Sequence, residues 1–218
     1  NSTQLSFLLA SSQFRLICIT ETWLDSSDSD FLLVGGFSDY FPFRCDRTIS
    51  DKYGRGGGVA IIAHYSLNPV LVTCFSSVLV ESSIVDLHIT YSPSLPFRKI
   101  RVIRVYRSPS APSSSLISSI EHLKPYISDD FPSILVGDFN FPSIDWCHLS
   151  SPTPNDLLDF VSDCRFTQYV SFPTRQLSYL DLLFCNRDII CNVSPTVPLS
   201  DHVFMFLRVS TNLLTGTP

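Results

Sequence analysis

Methionine is almost missing from this chain: the single one is Met205. With no initiator residue at its start, the chain is expected to be a processed piece, an excised domain or a truncated copy. Charge is also scarce, at 16% against 44% hydrophobic residues, which excludes an extended disordered polymer and predicts a Ser-rich, weakly charged surface. No apolar run reaches bilayer-spanning length, and no basic segment leads into an apolar one at the N-terminus, so neither a membrane partner nor secretion is expected. An intracellular place, nuclear or cytoplasmic, follows as the expectation. Cysteine is present (Cys18, Cys45, Cys74, Cys147, Cys164, Cys185 and Cys191) but in odd number and without a Cys-x-x-Cys pair. Buried free thiols are therefore expected rather than a disulfide frame or a zinc site. Cationic excess is missing too: a net charge of −5 argues against gripping nucleic acid by bulk electrostatics, though not against touching a few phosphates.

What is present is a chain of 218 residues, enough for one sizeable core. One domain over 1–210 and a loose tail at 211–218 are expected. Helical spacing around Leu5–Leu9 predicts a short opening helix, and Arg15–Ile19 a buried strand ending at Glu21. Asp25–Asp30 reads as an acidic loop. The glycine run Gly54–Gly58 lacks the Lys-Ser/Thr ending of a phosphate loop and leads into the apolar strand Val59–Ala63, so it reads as a hairpin turn. Residues 70–80, 84–91 and 99–106 give three strand patterns. A Ser-capped helix over Leu116–Leu123, an amphipathic helix over Asn155–Cys164, and strands at Tyr179–Phe184 and Val203–Val209 complete the series. Strands separated by helices predict an α/β protein rich in strand.

The chain is organised around Ser133–Asn140. Ile134–Val136 is a short buried strand, Gly137 is read as the point of a sharp turn, and Asp138 and Asn140 share one side by alternation. An acceptor that can take a proton beside a neutral donor suits hydrolysis of a phosphate ester; an Asx-rich turn after a core strand explains the octet equally well. Glu21, Tyr106 and Ser200-Asp201-His202 stand at other strand ends, and Asp181 interrupts an apolar strand. Individually, Glu21 reads as an ordinary strand-exit residue, His202 as a satisfied histidine and Asp181 as a solvent-facing alternation. As a set they match what phosphodiester hydrolysis needs. Mg²⁺ takes oxygen ligands and keeps several waters, so one or two carboxylates such as Glu21 suffice to hold it. Asp138 would orient or deprotonate water and Asn140 donate to phosphate. Asp181 is the candidate partner that would fix the tautomer of His202 and favour its charged form.

Six segments then carry a resemblance: Ile19-Thr20-Glu21-Thr22-Trp23-Leu24, Gly56-Gly57-Gly58-Val59-Ala60, Val105-Tyr106-Arg107, Gly137-Asp138-Phe139-Asn140, Pro173-Thr174-Arg175 with Leu180-Asp181-Leu182, and Ser200-Asp201-His202. In this order, over nearly the whole chain, they resemble the endonuclease/exonuclease/phosphatase superfamily. Within it they look like the endonuclease domain of non-LTR (LINE-type) retrotransposons. The resemblance implies two β-sheets packed as a sandwich flanked by helices (DNase I-like) and Mg²⁺-dependent nicking of DNA, with Mn²⁺ as an alternative ion. It implies Glu21 as metal ligand with Asp201 on the metal side, and Tyr106 on the scissile phosphate. Asp138 and Asn140 would position nucleophile and transition state, Asp181 would pair with His202, and Thr174 and Ser200 would support the substrate side. A reverse transcriptase domain in a longer parent is the implied partner.

Two departures from the family pattern stand out. The Asn-bearing first strand has no counterpart before Asn1, so a missing first strand is expected, and the chain stops soon after His202. The basic stretch Arg98–Arg107 either touches DNA phosphates through outward side chains, Arg107 included, or merely solubilises a sheet face. Besides a nicking endonuclease, a phosphatase acting on a small or lipid phosphate and an inactive domain remain as readings.

Overall fold

Alternation along the strands sorts this chain into layers. The computed structural model describes residues 2–11, 14–47, 56–77, 79–89, 96–112, 121–146, 148–151, 155–196 and 202–209. The larger sheet is formed by β4 (Pro69–Ser76), β5 (Val80–His88), β6 (Lys99–Arg107), β7 (Ser133–Asp138), β9 (Asp181–Cys185) and β8 (Thr167–Gln168). They lie side by side in the order β4-β5-β6-β7-β9-β8. Only β6 and β7 run parallel; the other ladders are antiparallel. A smaller sheet of β1 (Leu16–Thr20), β3 (Val59–His64) and β2 (Tyr40–Cys45) has β3 at its centre. A ribbon of β10 (Ile190–Pro195) and β11 (Met205–Val209) closes the described chain. Among the described residues no strand pairs with the free edge of β1.

Ile61 and Ala63 of β3 pack on Val85, Val102, Ile134, Val136 and Leu183 of the larger sheet, so the two sheets enclose an apolar slab. The other face of the larger sheet, through Ile103, Leu135, Leu182 and Phe184, takes Leu157, Phe160 and Val161 of helix α3 (Asp156–Asp163). Helix α1 (Ser2–Ala10) and helix α2 (Phe31–Val34) set Leu9 and Leu33 against Ile17, Ala60 and Ile62 on the outside of the smaller sheet. This is the expected α/β sandwich with flanking helices. The α3 start is fixed by Asn155, whose side chain accepts the Leu157 N–H at 3.0 Å, a cap worth about 1 kcal/mol.

The expected strands at 70–80 and 99–106 correspond closely to β4 and β6. The third begins earlier than its apolar pattern suggests: β5 opens at Val80 and includes Glu81, Ser82 and Ser83, polar residues that broke the sequence pattern. β2 and β10 lack a clean alternation and were not expected. Of the helix expected over 116–123 only 121–123 are described, and those are helical; the tail lies outside the described residues. The described cysteines are all free. No helix among the described residues is long and apolar enough to cross a membrane.

Gly137 corrects one reading. It sits inside β7, opposite Val105 of β6, and not at a turn. A Cβ there would drive into the Val105 carbonyl, so glycine serves close strand approach. The sharp turn comes later, at Asn140, whose φ is +49°.

Candidate active site

The inner face of the larger sheet grades from apolar to charged toward one end. A row across it joins Val85, Val102, Ile134 and Cys185; the next joins Ser83, Arg104, Val136 and Leu183; the last joins Glu81, Tyr106, Asp138 and Asp181. Neighbouring strands are spaced about 4.8 Å apart, so this last row is a transverse file of polar side chains. The smaller sheet ends at the same level, with Thr20, Val59 and Cys45 in register. Glu21 and Arg47 leave that sheet there, and Gly58 enters it.

Tyr106 is buried and its hydroxyl donates to Glu21 Oε1 at 2.6 Å. Burial first, then the Glu21 acceptor, raises the phenol above its ordinary value and keeps it a donor. Tyr106 therefore orients Glu21 in this arrangement. Glu21 (φ +54°) and Trp23 (φ +58°) both adopt the left-handed conformation, which costs non-glycine residues on the order of 1–3 kcal/mol each. The loop is held by the Thr22 and Trp23 N–H groups, which donate to the carbonyls of Gly58 (3.3 Å) and Gly57 (3.0 Å). Gly57 and Gly58 have φ of +76° and +81°; Cβ atoms there would strike the Arg47 guanidinium and the Thr22 hydroxyl. The glycine run thus lets the Glu21 loop and Arg47 approach one another.

Asp138 and Asn140 are joined by a turn, not by extended alternation. The Asn140 N–H donates to Asp138 Oδ1 at 3.2 Å, and its carboxamide donates to the Arg107 carbonyl at 2.8 Å. The Asx turn after the core strand is thus present. Arg107 is buried: its guanidinium donates to the carbonyls of Asn140 (3.2 Å) and Ala111 and stacks 4.2 Å from the Phe141 ring centroid. Arg104 is likewise interior, donating to Thr20 Oγ1 at 3.2 Å, with Nε unpartnered among the described residues. Arg101 and Lys99 pair with Asp86. Neither outward contact with phosphate nor a solubilised face describes these arginines. Their alternation puts them against interior partners, and Arg107 braces the Asn140 turn from inside.

Asp181 does not face solvent. His202 Nδ1 lies 2.6 Å from Asp181 Oδ2, so the ring's outward chemistry runs through Nε2. Thr174 is fully buried; its hydroxyl oxygen accepts the N–H groups of Leu180 (3.0 Å) and Asp181 (2.9 Å). It anchors the start of β9. Ser200 and Asp201 lie outside the described residues. Ligand atoms of Asp138, Asp181 and His202 all fall within 4.8 Å of one another. Among the described residues, Asp138 accepts a hydrogen bond only from Asn140. Burial, followed by the Asp181 charge, pushes its carboxyl up to about 7, with His202 and Arg104 opposing. A buried carboxylate beside a second carboxylate and an imidazole fits a divalent cation or a proton.

Sequence reasoning missed Glu81 and Arg47, and took Arg104 only as part of an outward-facing basic stretch. Glu81 fell between two expected strands. The signal available for it was a carboxylate at the head of a strand whose neighbour ends in Tyr106. Nothing local marked Arg47 or Arg104 as interior.

The same architecture recurs in solved structures. A 3′ phosphatase, NExo, from Neisseria bound to a product DNA hairpin superposes with TM-score 0.65 at 13% identity, covering 95% of this chain and 93% of that one. TDP2 from D. rerio with a single-stranded DNA product gives 0.58 at 12%, covering 94% and 90%. A mannosyl-6-phosphatase from Bacteroides thetaiotaomicron gives 0.60 at 13%, covering 96% and 90%. Curated protein sequences give no match. The family model for the Endonuclease/Exonuclease/phosphatase family matches residues 8–202, a span that runs from α1 to the histidine of the Asp181–His202 pair. The chain therefore belongs to the endonuclease/exonuclease/phosphatase family, whose members are metal-dependent hydrolases of phosphodiester or phosphate bonds.

Proposed function

We propose that this chain is a DNA-nicking endonuclease domain of the non-LTR retrotransposon type, working beside a reverse transcriptase domain in a longer parent. The observation that carries the hydrolytic part is the Asp138–Asp181–His202 triangle, with ligand atoms within 4.8 Å, at the same sheet end as the Tyr106-held Glu21. A polymeric substrate is favoured by the exposed apolar side chains beside this end. Trp23 is 63% exposed next to Glu21, and Leu177 is 90% exposed at the tip of the hairpin whose base is Thr174. Such groups suit stacking and groove contacts with bases better than a small sugar phosphate.

Glu21, with Asp201, would hold Mg²⁺ or Mn²⁺, an ion that would supply positive charge to the phosphate oxygens. Asp138, pushed up to about 7, is poised near neutrality to take the proton of the attacking water. Asn140, fixed by Arg107, donates a carboxamide N–H to the phosphate. Asp181 holds His202 Nδ1, aiming Nε2 at the developing charge on the phosphate. Arg104, buried one row below, offsets the paired carboxylates.

The test is nicking of supercoiled plasmid with Mg²⁺ and with EDTA, by this chain and by His202→Ala, with inorganic phosphate release measured from a 3′-phosphorylated oligonucleotide. Mg²⁺-dependent nicks without phosphate release, lost by about 10²–10⁴-fold in His202→Ala, are expected. Phosphate release without nicking would instead make the chain a phosphatase.

A further inference from the structure

Arg47 follows β2, Glu81 is the second residue of β5, and the two meet under the loop that carries Glu21. Arg47 Nε donates to Glu81 Oε1, and Nη2 to Oε2 at 3.3 Å, so both carboxylate oxygens are gripped. The Glu81 side chain is 0% exposed and that of Arg47 9%. Desolvating two ions offsets much of their attraction, so stability alone is a weak reason for such a pair. Its neighbours give another. The guanidinium lies over the Tyr106 ring, 5.4 Å from the centroid, and against Gly57, where any Cβ would displace it. Tyr106 holds Glu21 Oε1, and the Gly57 carbonyl holds the Trp23 N–H. Glu81 is itself the register partner of Tyr106. The pair bears on Glu21 from two sides, through the ring and through the loop.

We propose that the Arg47–Glu81 pair is a positioning device for divalent-ion binding. It fixes the Tyr106 ring and the Gly57–Gly58 segment, and through them it sets the Glu21 carboxylate in its ion-receiving orientation. By neutralising Glu81 it also leaves Glu21 as the carboxylate that faces outward at this end of the row. The inference rests on the reading of Glu21 as an ion ligand.

Mn²⁺ affinity, titrated by electron paramagnetic resonance on the whole chain without substrate, tests it. The variants are Glu21→Gln, Arg47→Lys, Tyr106→Phe and the double change Arg47→Met with Glu81→Met. The double variant leaves no lone buried charge, so it is the one expected to keep the fold, checked by thermal unfolding in EDTA. Affinity about 10–100-fold weaker is expected in the double variant and in Tyr106→Phe, with Arg47→Lys in between, because the ammonium cannot grip both oxygens. Wild-type affinity in a folded double variant, or in Arg47→Lys, overturns the positioning role and leaves a structural clamp. Wild-type affinity in Glu21→Gln overturns the underlying reading of Glu21, a separate outcome from failure of the pair alone.

Discussion

Asp138 and Asp181 are register partners on the antiparallel strands β7 and β9, side by side at the charged end of an otherwise apolar sheet face. Two carboxylates so placed cannot both remain ionised without compensation, and what compensates is His202 on Asp181 and the buried Arg104 beneath.

The first consequence concerns pH. Burial and the neighbouring charge raise Asp138 from an ordinary 3.8 to about 7, so the folded state binds a proton that the unfolded state has released between those values. This contribution is fully present below 3.8 and is lost as pH rises through about 7. In EDTA, the thermal midpoint should fall between pH 5 and pH 8 by more in the wild type than in Asp138→Asn. Parallel profiles would show that Asp138 does not titrate in that window.

Thr174 should matter to stability and to the site together. Thr174→Val strips the acceptor from two buried N–H groups, at a cost of about 1–3 kcal/mol, while Thr174→Ser keeps it. Urea unfolding measures the first effect. A matching loss of nicking in Val but not Ser reports the displaced Asp181.

Far from the site, Asp86 accepts from Arg101 at 2.7 and 2.9 Å and from Lys99 at 2.8 Å. Burial alone would raise its pKa, but these bonds override it and the net shift is downward. Its stabilisation is therefore present above 3.8 and lost as pH falls through the lowered folded value. Asp86→Ala leaves two cations without their shared partner and should cost about 3–5 kcal/mol in urea unfolding at pH 7.

Gly137→Ala places a methyl against the Val105 carbonyl on a parallel neighbour held on both sides by ladders. Overpacking there should cost at least about 1–3 kcal/mol and move Asp138 with it. A variant with unchanged midpoint and activity would mean that β6 and β7 have room to part.

Much of this could be read along the chain. Ile134–Val136, Val59–Ala63 and the amphipathic stretch after Asn155 announce themselves by composition, period and cap, because those signals are local. The six motif segments likewise named Glu21, Asp138, Asn140, Asp181 and His202. Period two says which residues of a strand share a face, but not which face is covered or what meets it. Only the tertiary structure decided that Arg104 turns in between the sheets and Arg107 in on the opposite face, that Gly137 serves contact with β6 rather than a turn, and that Thr174 spends its hydroxyl on backbone. Only strand register aligned Glu81, Tyr106, Asp138 and Asp181. Arg47 and Glu81 are ordinary surface-type residues until a partner 34 positions away takes each of them out of water.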